Sequence, residues 1–183
     1  MILPVTVYGD PILRKETKLV PKNYPNLNEL IENMYETMYN ADGVGLAAPQ
    51  VGVSLRIFII DASPAAEEEP ALKDFKRVFI NPRIISTTGE PWEMEEGCLS
   101  LPNIRENVLR DEEVTLTYFD ENWEEKTETH KGYAARVILH EYDHLMGKLF
   151  IDYISPLRRK LLKGKLTAIS KGKANANYRI RVP

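Results

Sequence analysis

The chain contains a single cysteine, Cys98, so an intramolecular disulfide bond is excluded. It also lacks any run of about 18 apolar residues, and therefore no membrane-spanning helix is expected. The N-terminal sequence MILPVTVYGDPILRK has no basic segment followed by a long apolar stretch, so it does not resemble a secretory signal peptide. These absences predict a cytoplasmic protein without membrane contact.

Acidic residues are missing from the end of the chain, because none follows Asp152. The whole chain has a net charge of −3 and a pI of about 5.7, which gives no electrostatic reason to expect nucleic acid as a partner. Positive charge nevertheless accumulates after Asp152. We call these residues the basic arm: Arg158, Arg159, Lys160, Lys163, Lys165, Lys171, Lys173, Arg179 and Arg181.

Hydrophobic periodicity predicts one helix and three strands in the first two thirds of the chain. Residues 27–42 have apolar side chains at helical spacing, and Gly43 is placed to end this helix. The sequences LRIFIID, RVFINPRII and EVTLTYFD are typical of strands. The polar, acidic segment 62–74 between the first two strands is expected to be an exposed loop.

The length of 183 residues and the 43% hydrophobic content are sufficient for one domain with a sizeable core. A helix is expected to begin at Ser155 and Pro156, in the order of an N-cap and a first-turn proline. Beyond Lys171 the sequence has no clear periodicity. We therefore predict a single domain over residues 1–170 and a basic, irregular tail over 171–183.

A further helix, predicted from about Gly132 to Met146, carries the main chemical signal. Apolar residues surround most of its axis, which indicates a buried helix. Within it, HEYDH at 140–144 matches H-E-x-x-H, in which one helical turn places both imidazoles on the same face and the glutamate near a metal-bound water. A hydrolytic metal needs about three protein ligands and an open position, so a third ligand is required.

The third ligand has two upstream candidates, because no histidine follows His144 and Asp152 is expected beyond the helix. Metallopeptidases of this type take their third ligand downstream, so that function is disfavoured. His130 lies in a charged segment, where an exposed histidine is expected. Cys98 follows Gly97, which allows a close backbone turn, and a lone thiol of this kind is either a core side chain or a ligand. Because the chain also has a His-x-x-x-His helix, Cys98 is favoured as the third metal ligand.

The sequence GVGLAAPQ at 43–50 has the glycine spacing of a dinucleotide-binding loop, but its context excludes that function. Such a loop follows a strand and opens a helix, whereas this segment follows a helix and runs into Pro49, which cannot continue one. From the residues alone, a tight loop after a glycine-terminated helix is favoured.

Three segments of the chain form a recognisable set, namely GVGLAAPQ at 43–50, EGCLS at 96–100 and HEYDH at 140–144. In order and separation, they resemble the signature motifs of the peptide deformylase family. YGDPILR near the start and GKLFID after the helix extend the similarity over about residues 5–160. One position departs from the family, since Leu139 stands where many members have glutamine. On a helix, the side chain of Leu139 points about 100° away from that of His140. The departure should therefore leave metal binding intact and affect only a contact that supports a ligand.

The resemblance implies an α+β fold in which mixed or antiparallel strands pack around a central metal-binding helix. It implies an enzyme that removes the formyl group from N-formylmethionyl nascent peptides with one divalent metal per chain, typically Fe²⁺ in the family, although Zn²⁺ also suits these ligands. The residue roles that it implies are metal binding by Cys98, His140 and His144, general acid and base catalysis by Glu141, oxyanion stabilisation by Gln50 and the backbone N–H of Leu99, and substrate binding by Gly43, Val44, Gly45 and Gly97.

Two alternatives remain at this stage. The chain could be a structural-metal or binding module, in which Glu141 is a solvated bystander and a fourth protein ligand closes the site. The basic arm, for its part, is either ordinary solvated charge or a weak contact with the ribosome.

Overall fold

The computed structural model describes residues 1–183 and contains three helices and nine strands. The helices are α1 (Leu27–Asn40), α2 (Gly132–Leu145) and α3 (Pro156–Ser170). The strands are β1 (Val5–Thr6), β2 (Gly45–Ala47), β3 (Ile57–Asp61), β4 (Lys76–Thr88), β5 (Trp92–Cys98), β6 (Leu101–Arg110), β7 (Glu113–Phe119), β8 (Glu125–Lys131) and β9 (Ile180–Arg181). None of the helices has the length and apolar character needed to span a membrane.

The largest sheet has five strands in the order β2-β3-β4-β7-β8, and all its neighbours are antiparallel. Strands β5 and β6 form a separate antiparallel hairpin, and the short β1 and β9 pair in parallel. The expected α+β class with mixed and antiparallel strands is confirmed.

Strand β3 explains why helix α2 is central. Successive residues of a strand point to opposite faces, and here both faces are buried. Phe58 and Ile60 pack with the apolar side chains of α2, whereas Ile57 and Ile59 pack with those of α1. The uninterrupted apolar sequence LRIFIID is therefore the signature of a strand covered by a helix on each side.

The two predicted helices in this core are confirmed with boundaries close to those expected, as is the start of α3 at Ser155, whose Oγ accepts the N–H of Arg158 at 3.2 Å. Strands β5, β6 and β8 were not predicted, because charged and polar residues make up a large part of their sequences. GVGLAAPQ is only partly a loop: residues 45–47 form an edge strand on β3 before a 3₁₀ turn at Ala48–Val51.

The acidic segment 62–74 is mostly exposed, as expected, but it contains two short 3₁₀ turns and buries Leu72 against the α2 side of the sheet. At the other end of the chain, residues 171–179 have no regular structure, and β9 then returns to pair with β1. This return brings the C-terminal tail beside the β5–β6 hairpin, whose turn follows Cys98.

Candidate metal centre

The ligand cluster forms where the end of β5 meets the middle of α2. One turn of α2 separates His140 from His144, and their ring centroids are 5.1 Å apart. The Sγ of Cys98 lies 3.4 Å from Nε2 of His144. One ligand atom from each of the three residues lies within 4.8 Å of the other two. Cys98, His140 and His144 are therefore positioned to hold one metal ion.

The residues present fit a catalytic metal better than a structural one. A thiol and two imidazoles are donors that Zn²⁺ and Fe²⁺ accept, and ligand bonds of about 2.0–2.3 Å suit atoms at the observed separations. The cluster contains three ligating residues and no fourth. Cys98 and His140 line an open groove, so a small molecule has access to the metal position. A closed structural site would need a fourth ligand, which neither His130 nor Asp152 provides.

Asp152 and His130 are engaged elsewhere. Asp152 accepts hydrogen bonds from Arg14, at 2.8 and 3.2 Å. His130 lies on β8 with Nε2 3.2 Å from an oxygen of Glu128, and its ring packs edge-on against Phe75. The expectation that His130 is exposed is wrong, because the alternation of β8 turns its side chain inward and leaves it only 14% exposed. The expectation that it is not a ligand is consistent with this position.

Glu96, which sequence reasoning missed, organises the cluster from behind. Its buried carboxylate accepts hydrogen bonds from Arg110 at 2.7 and 3.0 Å and from Arg136 at 2.7 Å. A carboxylate held by two guanidinium groups is ionised, so Nδ1 of His140, 2.8 Å away, must be the donor to it. This bond fixes the ring and leaves Nε2 of His140 as the nitrogen that could bind a metal.

The pKa values of Glu96, His140 and His144 follow from the same contacts and from burial. Burial acts to raise the pKa of Glu96, but the hydrogen bonds from His140 and Arg110 outweigh it and hold this pKa well below its usual value. Burial acts to lower the pKa of His140, yet its hydrogen bonds with Cys98 and Glu96 raise it to about 10. Burial and the neighbouring positive charges lower the pKa of His144. His144 is therefore neutral, which is the form that binds metal, whereas His140 must lose the proton on Nε2 when a metal binds.

Glu141 is a buried carboxyl group beside the ligands that accepts no hydrogen bond from the chain. It is 3% exposed, its Oε2 makes no hydrogen bond, and its Oε1 lies 3.8 Å from Nε2 of His140. Burial raises the pKa of Glu141 to about 7, although the charge on His140 acts in the opposite direction. A carboxyl group with a pKa near neutrality can both accept and return a proton.

Position 45 requires glycine for a structural reason that the sequence did not reveal. A Cβ atom at this position would lie 2.9 Å from Cγ of Glu141, a separation that real Cβ atoms essentially never show. Strand β2 therefore approaches α2 closely because residue 45 has no side chain. The glycine makes room for Glu141, in addition to any room that it leaves for a ligand.

Gln50 is aimed at the Cys98–Ser100 turn. Its Oε1 accepts the N–H of Ala47 at 2.9 Å, which assigns Nε2 to the other side, 3.2 Å from Oγ of Ser100 and 3.5 Å from Sγ of Cys98. Leu99 lies in the same turn, and its N–H donates no hydrogen bond within the chain. The Gln50 side chain and the backbone of Leu99 thus place two kinds of N–H group close to Cys98.

The groove has a volume of about 680 Å³ and brings the predicted residues together. Every predicted site residue except His144 lines it: Gly43, Val44, Gly45, Gln50, Gly97, Cys98, Leu99, His140 and Glu141. Leu139, by contrast, is buried in the core between α2 and the sheet. Residues 175–178 of the tail also line the groove, and no sequence signal had indicated them.

Comparison with known proteins gives one consistent result. The sequence model of the family described as polypeptide deformylase matches residues 2–160. The peptide deformylase of Christiangramia forsetii is 55% identical over 190 residues, covering 100% of this chain and 97% of the relative. That of Flavobacterium psychrophilum is 51% identical over 189 residues, with the same coverage.

Solved structures of peptide deformylases are also similar to this chain. A crystal structure of a peptide deformylase from Legionella pneumophila has a TM-score of 0.83 at 40% identity, covering 94% of this chain and 98% of that one. The corresponding enzyme from Thermotoga maritima has a TM-score of 0.76 at 44% identity, covering 85% of this chain and 99% of that one.

Proposed function

The chain belongs to the polypeptide deformylase family and is an enzyme that removes the N-formyl group from newly made polypeptides, and we propose that it does so in the groove beside Cys98, His140 and His144. The observation that carries this location is the meeting of three ligating side chains, a carboxyl group that accepts no hydrogen bond, and the N–H groups of Gln50 and Leu99 at one open groove. The products are formate and a free N-terminal methionine.

We propose Fe²⁺ as the resident metal, on the basis of the family, with Zn²⁺ compatible with the same thiol and imidazoles. A divalent metal held by these three residues would supply the Lewis acidity that brings the pKa of water towards neutrality. The hydrogen bond from His140 to Glu96 keeps the ligand ring in place for that ion.

Glu141 is the proton carrier of the proposed reaction. It takes a proton from the attacking water and passes it to the leaving amine as the bond between nitrogen and the formyl carbon breaks. Its burial beside His140 and the absence of any hydrogen bond to Oε2 leave it free for both steps.

Gln50 and the N–H of Leu99 stabilise the negative charge that develops on the formyl oxygen. Both donors are fixed before substrate arrives, Gln50 by its bond from Ala47 and Leu99 by the turn in which it lies. Gly43, Val44, Gly45 and Gly97 form the walls along which the peptide binds. The chain works in the cytoplasm, with residues 1–170 as one catalytic domain and 171–183 as its tail.

Substrate choice tests this function. We expect hydrolysis of formyl-Met-Ala-Ser, at least about tenfold slower reaction of acetyl-Met-Ala-Ser, and no cleavage of an internal peptide bond. Acetyl adds a methyl group that the groove must accommodate beside the ligands, worth about 1–3 kcal/mol of discrimination, and it makes the carbonyl carbon less electrophilic. Released formate, acetate and free amine are measured with protein purified without oxygen, in which about one iron per chain is expected.

Equal turnover of the two peptides would contradict the expectation that the groove disfavours the methyl group of an acetyl substrate. Internal cleavage without formate release would instead favour a metallopeptidase. Zinc in place of iron, with full activity, would contradict the metal assignment but leave the reaction intact.

The basic arm supports a further proposal, a weak electrostatic contact with the ribosome. Some of its charges are already paired within the chain, since Arg158 bonds Glu106 and Arg181 lies 3.5 Å from Asp10. Lys160, Lys163 and Lys165 on α3 are exposed and form no ion pair, so they are available to phosphate groups.

Replacing Lys160, Lys163 and Lys165 by glutamate is expected to weaken co-sedimentation with ribosomes and to lower its salt dependence by about one phosphate contact per residue. The matched control replaces the exposed Lys22, Lys73 and Lys148, which changes net charge equally at other places. Co-sedimentation that is the same for both triple variants, or insensitive to salt, would assign the basic arm to ordinary solvated charge.

A further inference from the structure

The C-terminal tail is anchored along the β5–β6 side of the groove. Strand β9 pairs with β1 in parallel, and Val5 donates its N–H to the carbonyl of Arg179 at 2.9 Å. The side-chain amide of Asn103, on β6, donates to the carbonyl of Asn175 at 2.7 Å. Asn175 and the three residues between these anchors, 176–178, line the groove. The tail lies beyond the residues that the family model matches, which end at 160.

Tyr178 connects this tail to the turn that follows Cys98. Its hydroxyl donates a hydrogen bond of 2.7 Å to the carbonyl of Leu99. Burial, and then the nearby Cys98, raise the pKa of Tyr178, so the hydroxyl stays protonated and can donate at neutral pH. The next carbonyl, that of Ser100, accepts the N–H of Tyr8 at 2.9 Å. Two hydrogen bonds therefore hold the turn, one from Tyr178 near the C-terminus and one from Tyr8 near the N-terminus.

Leu99 needs this support because it belongs to no strand. Strand β5 ends at Cys98 and β6 begins at Leu101, and the register of the hairpin shifts at this point. Leu99 itself makes no backbone–backbone hydrogen bond, and the pairing of Cys98 with Leu101 closes the turn around it. A bond to the Leu99 carbonyl fixes the peptide plane that follows this residue. The narrow allowed range of φ for a non-glycine residue then limits the direction of the N–H in the plane that precedes it. A donor that stabilises a developing oxyanion is effective only when its direction is fixed in advance.

We propose that Tyr178 is a positioning residue for deformylation, which aims the N–H of Leu99 into the groove by holding its carbonyl. This inference rests on the proposed role of the Leu99 N–H in the reaction. Tyr178 acts through Leu99, so its loss affects the transition state more than substrate binding.

The test compares Tyr178→Phe with Tyr35→Phe in the full-length, metal-loaded enzyme. Tyr35 is the matched control: its hydroxyl also donates to a backbone carbonyl, that of Arg77 at 3.0 Å, it is half-buried like Tyr178, and it is not part of the groove. Each variant loses one hydroxyl and one hydrogen bond of the same kind. We measure kcat and KM for formyl-Met-Ala-Ser, metal content and Tm.

For Tyr178→Phe we expect kcat to fall about tenfold with KM within about a factor of two, the pattern of an interaction lost in the transition state. Metal content and Tm should match those of Tyr35→Phe, which should keep wild-type kcat. Equal kcat in the two variants, or a fall in kcat that only follows lost metal or lowered Tm, overturns the proposal. If the wild-type enzyme itself releases no formate, the proposed function fails, and this inference fails with it.

Discussion

Replacing Cys98 by alanine is expected to reduce bound metal and formate release together to background. Cys98 is the only thiol of the chain and supplies one of just three ligating side chains. Even contacts behind metal ligands are typically worth about 10- to 100-fold in metal affinity, so the loss of a ligand has a larger effect. Metal content of the purified variant and formate release from formyl-Met-Ala-Ser measure the result.

His130→Ala is the control, because it removes the remaining histidine without touching the cluster. His130 bonds Glu128 on β8, so its loss should leave metal content and activity near wild-type values. Full metal occupancy in the Cys98 variant would contradict the ligand assignment. Loss of metal in the His130 variant would point to a role for His130 that its position does not explain.

Glu141→Gln is expected to keep near-normal metal content while the rate falls at least about a hundredfold, the usual scale for a positioned acid and base. The amide has nearly the same shape as the carboxyl group, so it fits the narrow space beside Gly45. It cannot take a proton from water or return one to the leaving amine. Comparison of kcat at equal metal occupancy isolates this effect.

Glu128→Gln provides the matched control for the same chemical change. Glu128, on β8, accepts hydrogen bonds from Tyr118 on β7 and from His130 on β8, and it does not line the groove. Its variant should keep wild-type kcat. Normal activity in Glu141→Gln would make Glu141 a bystander, and loss of metal in that variant would make it a ligand or a support of one.

The metal-binding helix could be predicted from sequence because its information is local. His140, Glu141 and His144 lie within two helical turns, so the 3.6-residue repeat alone places both imidazoles on one face. Cys98 could be proposed only by elimination and family resemblance. Its partner His144 is 46 residues away, and no periodicity extends across that distance. The exposure of His130 was predicted wrongly, because the charged sequence of β8 concealed a strand with one inward face.

The sequence by itself determined the helices, the doubly buried strand β3, and the three motifs whose order identifies the family. Each of these depends on neighbours in the chain or on a repeating apolar pattern. Only the tertiary structure decided how the motifs are supported: Glu96 behind His140 across 44 residues, Gly45 against Glu141, and Tyr178 on Leu99 across 79 residues. Such contacts depend on how β5, β2 and the tail are placed around α2. That placement results from packing of the whole core, so no local sequence pattern predicts it.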